Sequence, residues 1–213
     1  MKSVMISIKP KWCELIASGK KTIEVRKTRP KIETPFKCYI YCTNDFADSR
    51  TRRKRSEFWI GEPLNNVSKG RYIGNGMVIG EFICDFYETI AFSKSENGIG
   101  FADCISEYLT KDACLTKQQA FEYSKSNPTY GWHISDLVIY DKPKELSEFY
   151  KPCTDPYQYC QGCKHGLVQY PADVETSEDL AGCCFDTVCL NKMTRPPQSW
   201  CYCGQTLDWS DTE

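Results

Sequence analysis

The sequence predicts an α+β chain. β-type segments stand before and after a helical middle, which favours α+β over a repeated βαβ unit. Hydrophobic residues make up 41% and aromatics 13% of the 213 residues, enough for a real core, and the 26% of charged residues argues against wholesale disorder. Composition changes after Tyr150: aliphatics thin out, and Cys, Pro, Gly and aromatics take over. The expected organisation is therefore a main domain over 1–148 and a small Cys-rich unit over 149–213.

Met5–Ile8 reads as a short strand. Pro10 suits the first helical position, where its missing N–H costs nothing. Trp12, Leu15 and Ile16 recur at helical spacing, and Gly19 ends that helix as a residue able to take positive φ. Residues 21–26 alternate, with Ile23 and Val25 toward one face and Glu24 and Arg26 toward the other. Phe36–Cys42 is the next strand, and Met77–Asp85 another, with Gly74, Gly76 and Gly80 marking a turn and then a bulge or tight bend. Thr116 and Gln119 fit a capping box for a helix that stops by Asn127-Pro128. Strand character returns over Trp132–Tyr140. No internal repeat is evident.

The net charge is −1, but it is unevenly spread. Residues 151–213 hold four basic and nine acidic residues, or −5; the remaining 23 basic and 19 acidic residues give residues 1–150 a charge of +4. A mildly basic first part suits a polyanionic partner. Apolar runs fall far short of the roughly 20 residues a membrane span needs, so no membrane partner is expected. The N-terminus has no apolar stretch of signal-peptide length, so the expected compartment is cytoplasmic.

Gly19-Lys20-Lys21-Thr22-Ile23-Glu24-Val25-Arg26 hands a helix C-terminus directly to a strand with a lysine at the corner. Glu24 and Arg26 share a face about 6–7 Å apart, so a lysine, a carboxylate and an arginine converge. Arg offers a planar fork for phosphate, and Lys a point charge or a nucleophilic amine. The plainer reading is a surface ion-pair cluster.

Gly19, Lys21, Glu24 and Arg26 match G-x-K-x-x-E-x-R, the signature of ASCH domains in the PUA-like superfamily. Ser7-Ile8-Lys9-Pro10 and Tyr130-Gly131-Trp132-His133-Ile134-Ser135-Asp136-Leu137 also resemble bacterial and phage ASCH proteins, so the likeness runs over roughly residues 1–145. It implies a PUA-like small β-barrel flanked by helices, with a cleft where the motif meets the barrel mouth. It also implies binding of RNA or a modified nucleoside. Some ASCH members are acetylcytidine amidohydrolases and others ribonucleases. In the amidohydrolases the motif lysine acts as nucleophile or base beside a threonine and a glutamate. Lys21 matches that lysine, Glu24 stands in the threonine's place, and no acid near Glu107–Asp112 matches the glutamate.

Trp132 and His133 have two readings: a core tryptophan with a structural histidine, or a pair that stacks on and hydrogen-bonds a base. His133 also suits a general acid or base. Tyr130 joins the candidate ligand-binding residues. Arg50-Thr51-Arg52-Arg53-Lys54-Arg55 reads as a loop between strands, either a solvated one or a phosphate-contacting arm led by Arg52 and Arg53, with Phe58 and Trp59 close enough to stack bases.

Eight of the 14 cysteines lie after position 150, and without an export signal such clustering points to metal. Cys160-Gln161-Gly162-Cys163 is a knuckle whose glycine lets both thiolates face one ion. Cys184 and Cys189 supply a second pair, and the spacing is close to that of structural zinc sites. Cys183 can replace Cys184, with Cys153, His165 and Cys201 in reserve. Free thiols, a redox C-x-x-C and an iron–sulfur cluster are the competing readings. The six cysteines before position 150 read as buried apolar thiols.

The leading expectation is an RNA- or modified-nucleoside-binding protein with a structural zinc. Its ligand-binding residues are Lys21, Glu24, Arg26, Tyr130, Trp132, Arg52 and Arg53. One rival is a hydrolase in the same cleft, with Lys21, Glu24 and His133 doing the chemistry. The other is a protein-interaction adaptor working through the acidic Cys-rich tail.

Overall fold

A computed structural model of the chain describes residues 3–44, 55–61, 72–90, 93–95, 98–100, 111–125, 127–151 and 193–205. Within it β1 (Ser3–Ile8) is buried along its whole length. Pro10 opens α1 (Pro10–Ala17), and Gly19, at φ +71°, lets the chain turn out of the helix. β2 (Ile23–Arg26) follows, then β3 (Phe36–Cys42). The short pair β4 (Trp59–Ile60) and β5 (Tyr72–Ile73) precedes β6 (Val78–Cys84) and β7 (Tyr87–Ile90). A small hairpin of β8 (Ser93–Ser95) and β9 (Gly98–Gly100) stands before α2 (Lys117–Ser124). The chain ends this part with β10 (Thr129–His133), β11 (Ser135–Lys144) and β12 (Phe149–Tyr150), and β13 (Trp200–Gln205) follows.

The main sheet is mixed, in the order β11-β6-β3-β1-β13-β12; β1 and β3 run parallel and its other neighbours antiparallel. A second sheet has the order β2-β10-β7. Together they form a half-barrel among the described residues, with the principal core of Ile6, Ile8, Phe36, Ile40, Phe82 and Trp132. α1 contributes Cys13 and Ile16 to that core, while α2 sets Ala120 against Ile23 and Val25 on the other side of β2. Each fully buried Ile or Phe stabilises this arrangement by roughly 1.5–3 kcal/mol. The α+β class therefore holds.

Local chemistry follows the sequence closely. Thr116 Oγ1 accepts from Gln119 N while the Gln119 side chain accepts from Thr116 N, the reciprocal capping box at the start of α2. Gly80 is forced by close approach: a Cβ there would stand 2.3 Å from Val138 O. The β3/β6 register also shifts next to it, as the expected bulge requires.

The tail behaves differently from a wholly separate unit. β13 pairs along β1 with Ser3 opposite Cys203 and Ile6 opposite Trp200. It covers what would otherwise be a bare edge of β1, and unpaired edges are a hazard that folds usually cover. Met193 and Cys203 pack with Met5, Tyr39 and Phe149 in a second core cluster. Residues 152–192, including Cys160, Cys163, Cys184 and Cys189, lie outside the described residues, as do Cys153, Cys183, His165, Arg52 and Arg53. Among the early cysteines, Cys13, Cys38, Cys42 and Cys84 are buried as expected, whereas Cys114 is partly exposed. No helix among the described residues is long and apolar enough to cross a membrane.

Candidate ligand-binding cleft

The corner between α1 and β2 fixes the site. Lys21 N donates to Leu15 O at 2.9 Å and Thr22 N to Asp112 O at 2.9 Å, so the corner is tied to α1 and to the segment before α2. β2 then alternates: Ile23 and Val25 pack toward α2, and Glu24 and Arg26 face the opposite way. Lys21 Nζ donates to Ala113 O at 2.7 Å and stands 3.4 Å from Glu24 Oε2. Arg26 Nη2 stands 3.1 Å from Glu24 Oε1 and donates to Ser7 O at 2.6 Å, while Nη1 reaches Ser199 Oγ at 3.4 Å. Glu24 thus bridges two cations.

The three charged side chains are only 2–9% exposed, so the triad is a buried cluster and not the surface ion pair of the plainer reading. Burying charges is costly, and the attraction between them repays that cost only when hydrogen bonds complete the set. Here the backbone oxygens of Ala113 and Ser7 do so. Burial holds the Lys21 amine below the usual lysine range, and the Glu24 carboxylate opposes that shift without cancelling it. Arg26 Nε, by contrast, has no protein partner among the described residues.

The triad lines a cleft of about 660 Å³. Trp12 from α1 forms one wall, with the Lys21 ammonium 5.2 Å from its ring centre. Gln119 and Tyr123 from α2 form another, and Pro196, Pro197 and Gln198 close a third. Ser7 anchors that third wall: its N donates to Ser199 O at 2.9 Å and its Oγ to Pro197 O at 2.6 Å. Aromatic faces and amide groups around a fixed pair of cations can hold a flat, polar-edged molecule or an anion. Tyr123 and Pro196–Gln198 were not among the residues the sequence singled out, and Trp12 and Gln119 were read only as helix residues. Trp12 carried a signal, as a large aromatic about two helical turns before the motif, but it reads equally well as a core residue. The prolines carried none, being about 170 positions from Arg26.

The other expected site residues are dispersed. Trp132 is fully buried in the principal core, edge-on to Phe36 at 5.7 Å and tilted 57° to Trp200 at 6.1 Å, and does not line the cleft. His133 faces elsewhere: its Nδ1 lies 2.6 Å from Asp85 Oδ1, and its ring stacks on Phe86 at 4.6 Å. Tyr130 opposes Arg26 across β2 and β10 and packs edge-on against Tyr87 at 6.4 Å. Of the basic loop, Arg55 is described and pairs with Glu57 at 3.7 Å. Phe58 is buried and Trp59 is 37% exposed. Among the described residues no group of three or more His, Cys, Asp and Glu is placed to hold a metal.

A family model described as ASCH domain matches residues 6–80, which include the triad and the whole of α1. The chain is similar to ASCH from Zymomonas mobilis in its crystal structure, at 18% identity and a TM-score of 0.43, over 68% of this chain and 74% of that one. The crystal structure of a point mutant of the same protein gives 18% and 0.43 over 68% and 77%. No curated protein matches the chain.

Proposed function

We propose that this chain, which carries an ASCH domain over residues 6–80, holds one nucleotide of RNA, or a modified nucleoside, in the cleft between α1, α2 and β2. The supporting observation is the combination in one 660 Å³ cleft of Trp12 and Tyr123 with the buried Lys21–Glu24–Arg26 triad. The aromatics offer faces for a base. The triad offers donors and an acceptor whose positions are fixed before a ligand arrives.

A panel of ribonucleosides and RNA oligomers, followed for both retention and turnover, tests this reading. Lys21→Ala should weaken binding about tenfold or more, the loss of one charge-assisted hydrogen bond. Lys20→Ala, whose side chain is exposed and does not line the cleft, should weaken it by less than about threefold. Trp12→Ala, at a half-buried position, gives a second reading that removes the ring over Lys21 but leaves the ion pairs of the triad in place. Wild-type protein that retains no member of the panel would overturn the proposal.

One observation favours a hydrolase in the same cleft as a second reading. Burial lowers the proton affinity of Lys21, and a neutral amine is the form that attacks a carbonyl or takes a proton. On this reading turnover rises with pH as Lys21 loses its proton, and Lys21→Ala abolishes it. His133 is given no role in that chemistry, since it does not line the cleft.

The zinc belongs to the proposal too. We assign one Zn²⁺ per chain to Cys160, Cys163, Cys189 and one of Cys183 or Cys184. Metal analysis of protein purified under reducing, metal-replete conditions should give about one equivalent, and Cys160→Ser should lose it. A metal-free wild type would remove zinc from the account.

A further inference from the structure

We propose that Arg29, Tyr87 and Tyr130 form a stacking platform beside the cleft that receives the next base of a single-stranded RNA. The inference rests on the nucleotide-binding reading of the cleft and extends it from one nucleotide to a strand.

The position comes from the register. Tyr130 opposes both Arg26 and Thr89, and Tyr87 opposes Trp132. Opposed residues in an antiparallel pair share a face, so both tyrosines lie on the face of the second sheet that carries Glu24 and Arg26. Arg29 follows Arg26 by three residues, a reach of at most about 11 Å. That is at most about three stacked-nucleotide rises of 3.4 Å each, so the next base along a strand is within reach.

The geometry is that of a platform. The Arg29 guanidinium carbon stands 4.4 Å from the Tyr87 ring centre and 5.8 Å from that of Tyr130. The two rings meet edge-on at 82°, 6.4 Å apart. Arg29 is exposed, and no carboxylate pairs with it among the described residues. The guanidinium therefore sits against both tyrosines at an exposed position, where a base can stack on it. Such stacking tolerates any base, because every base has a π face.

The loop carrying Arg29 is held on both sides by β13. Trp200 Nε1 donates to Thr28 Oγ1 at 2.9 Å, and Lys31 N donates to Tyr202 Oη at 2.9 Å. Pro30 between them is buried and fixes its own φ. A platform held this way loses little freedom when it is occupied. Lys27, whose ammonium stands 5.1 Å from the ring centre of the cleft residue Tyr123, and Lys31 are exposed on either side of Arg29, suited to the phosphates that flank a stacked base.

The test compares a ribonucleoside monophosphate panel with a 5′-labelled random RNA hexamer, by calorimetry and fluorescence anisotropy respectively. Wild-type protein should bind the hexamer at least tenfold more tightly than any monophosphate. Arg29→Ala should remove about tenfold of the hexamer affinity and leave monophosphate affinity within about twofold. Tyr87→Leu, checked for native circular dichroism, should act in the same direction. A hexamer with a single base and abasic sites elsewhere should be insensitive to Arg29→Ala beyond the effect of one lost charge on the salt slope. Equal losses for monophosphate and hexamer, no loss for either, or abasic RNA as sensitive as intact RNA would overturn the platform. So would a wild type that gains nothing from length, which leaves this face to a protein partner. Monophosphate binding reports the cleft alone. An Arg29-dependent hexamer complex without monophosphate binding would retire the cleft reading and keep the platform, whereas a wild type that binds neither probe retires both.

Discussion

Lys21 and Arg26 are buried on either side of Glu24, whereas Lys27, Arg29 and Lys31, the next cations along the chain, are exposed. Lys27 and Arg29 lie over tyrosine rings. The difference begins with strand geometry. Inside β2 every second side chain points away from α2, so Glu24 and Arg26 must share one face and find partners there. Beyond Arg26 the strand ends and that compulsion lapses. A buried cation has a fixed position but depends on its carboxylate for solvation, while an exposed one keeps its water and contributes little to stability. The first group is built to hold a position and the second to meet a ligand.

The largest expected effect comes from removing the bridging charge. Glu24→Gln leaves two buried cations without their carboxylate and should lower the unfolding free energy by about 3–5 kcal/mol. For a chain of this size that is a fall of about 6–20 °C in Tm. The Lys21 amine should also titrate lower than in the wild type, because Glu24 is the main group that raises it against the effect of burial. Thermal unfolding and an NMR titration of the ε-amine read both effects; a Tm moved by less than about 2 °C would put the triad on the same footing as the rim. Lys21→Met should cost less, about 1–3 kcal/mol, because Glu24 retains Arg26.

Lys21 also sharpens the comparison through pH. Its folded-state pKa lies below the 10.5 of an ordinary lysine. Between the two values the unfolded chain binds more protons than the folded one, so Lys21 makes stability rise with pH across that window. The contribution is lost as pH falls through the folded value. Urea unfolding at a series of alkaline pH values should show a slope that Lys21→Met flattens; identical slopes would mean that Lys21 is not desolvated. The smallest effect belongs to the rim. Lys27→Ala should change stability by about 0.5 kcal/mol or less, and a larger loss would mean that this cation too has become structural.

The sequence was most legible where local rules act alone. Pro10 and Gly19 bracket α1, Thr116 and Gln119 cap α2, Gly80 marks a close backbone approach, and the alternation of residues 23–26 places the triad on one face. It was least legible where distant segments meet. Trp132 and His133 are neighbours in one strand, yet one is sealed in the core and the other lies against Asp85 and Phe86. Neither partner set is written near them in sequence. Trp200 and Tyr202 alternate with Cys201 and Cys203, a strand signal that a cysteine-rich composition hides. Pro196–Gln198 enter the cleft because Ser7 bonds the backbone of residues 197 and 199, a pairing that periodicity does not encode.

The pairing of β1 with β13 sets a timetable for synthesis. Ser3 and its partner Cys203 are 200 positions apart. At about 5–20 residues per second a ribosome needs about 10–40 s to make the intervening chain. β3, the other neighbour of β1, emerges early and can dock in parallel. Until residue 200 is made, the opposite side of Val4, Met5 and Ile6 presents open backbone donors and acceptors on an apolar strand. Unpaired edges of that kind recruit other chains. A nascent or truncated chain that stops short of residue 200 is thus the form of this protein most exposed to aggregation and most in need of a chaperone.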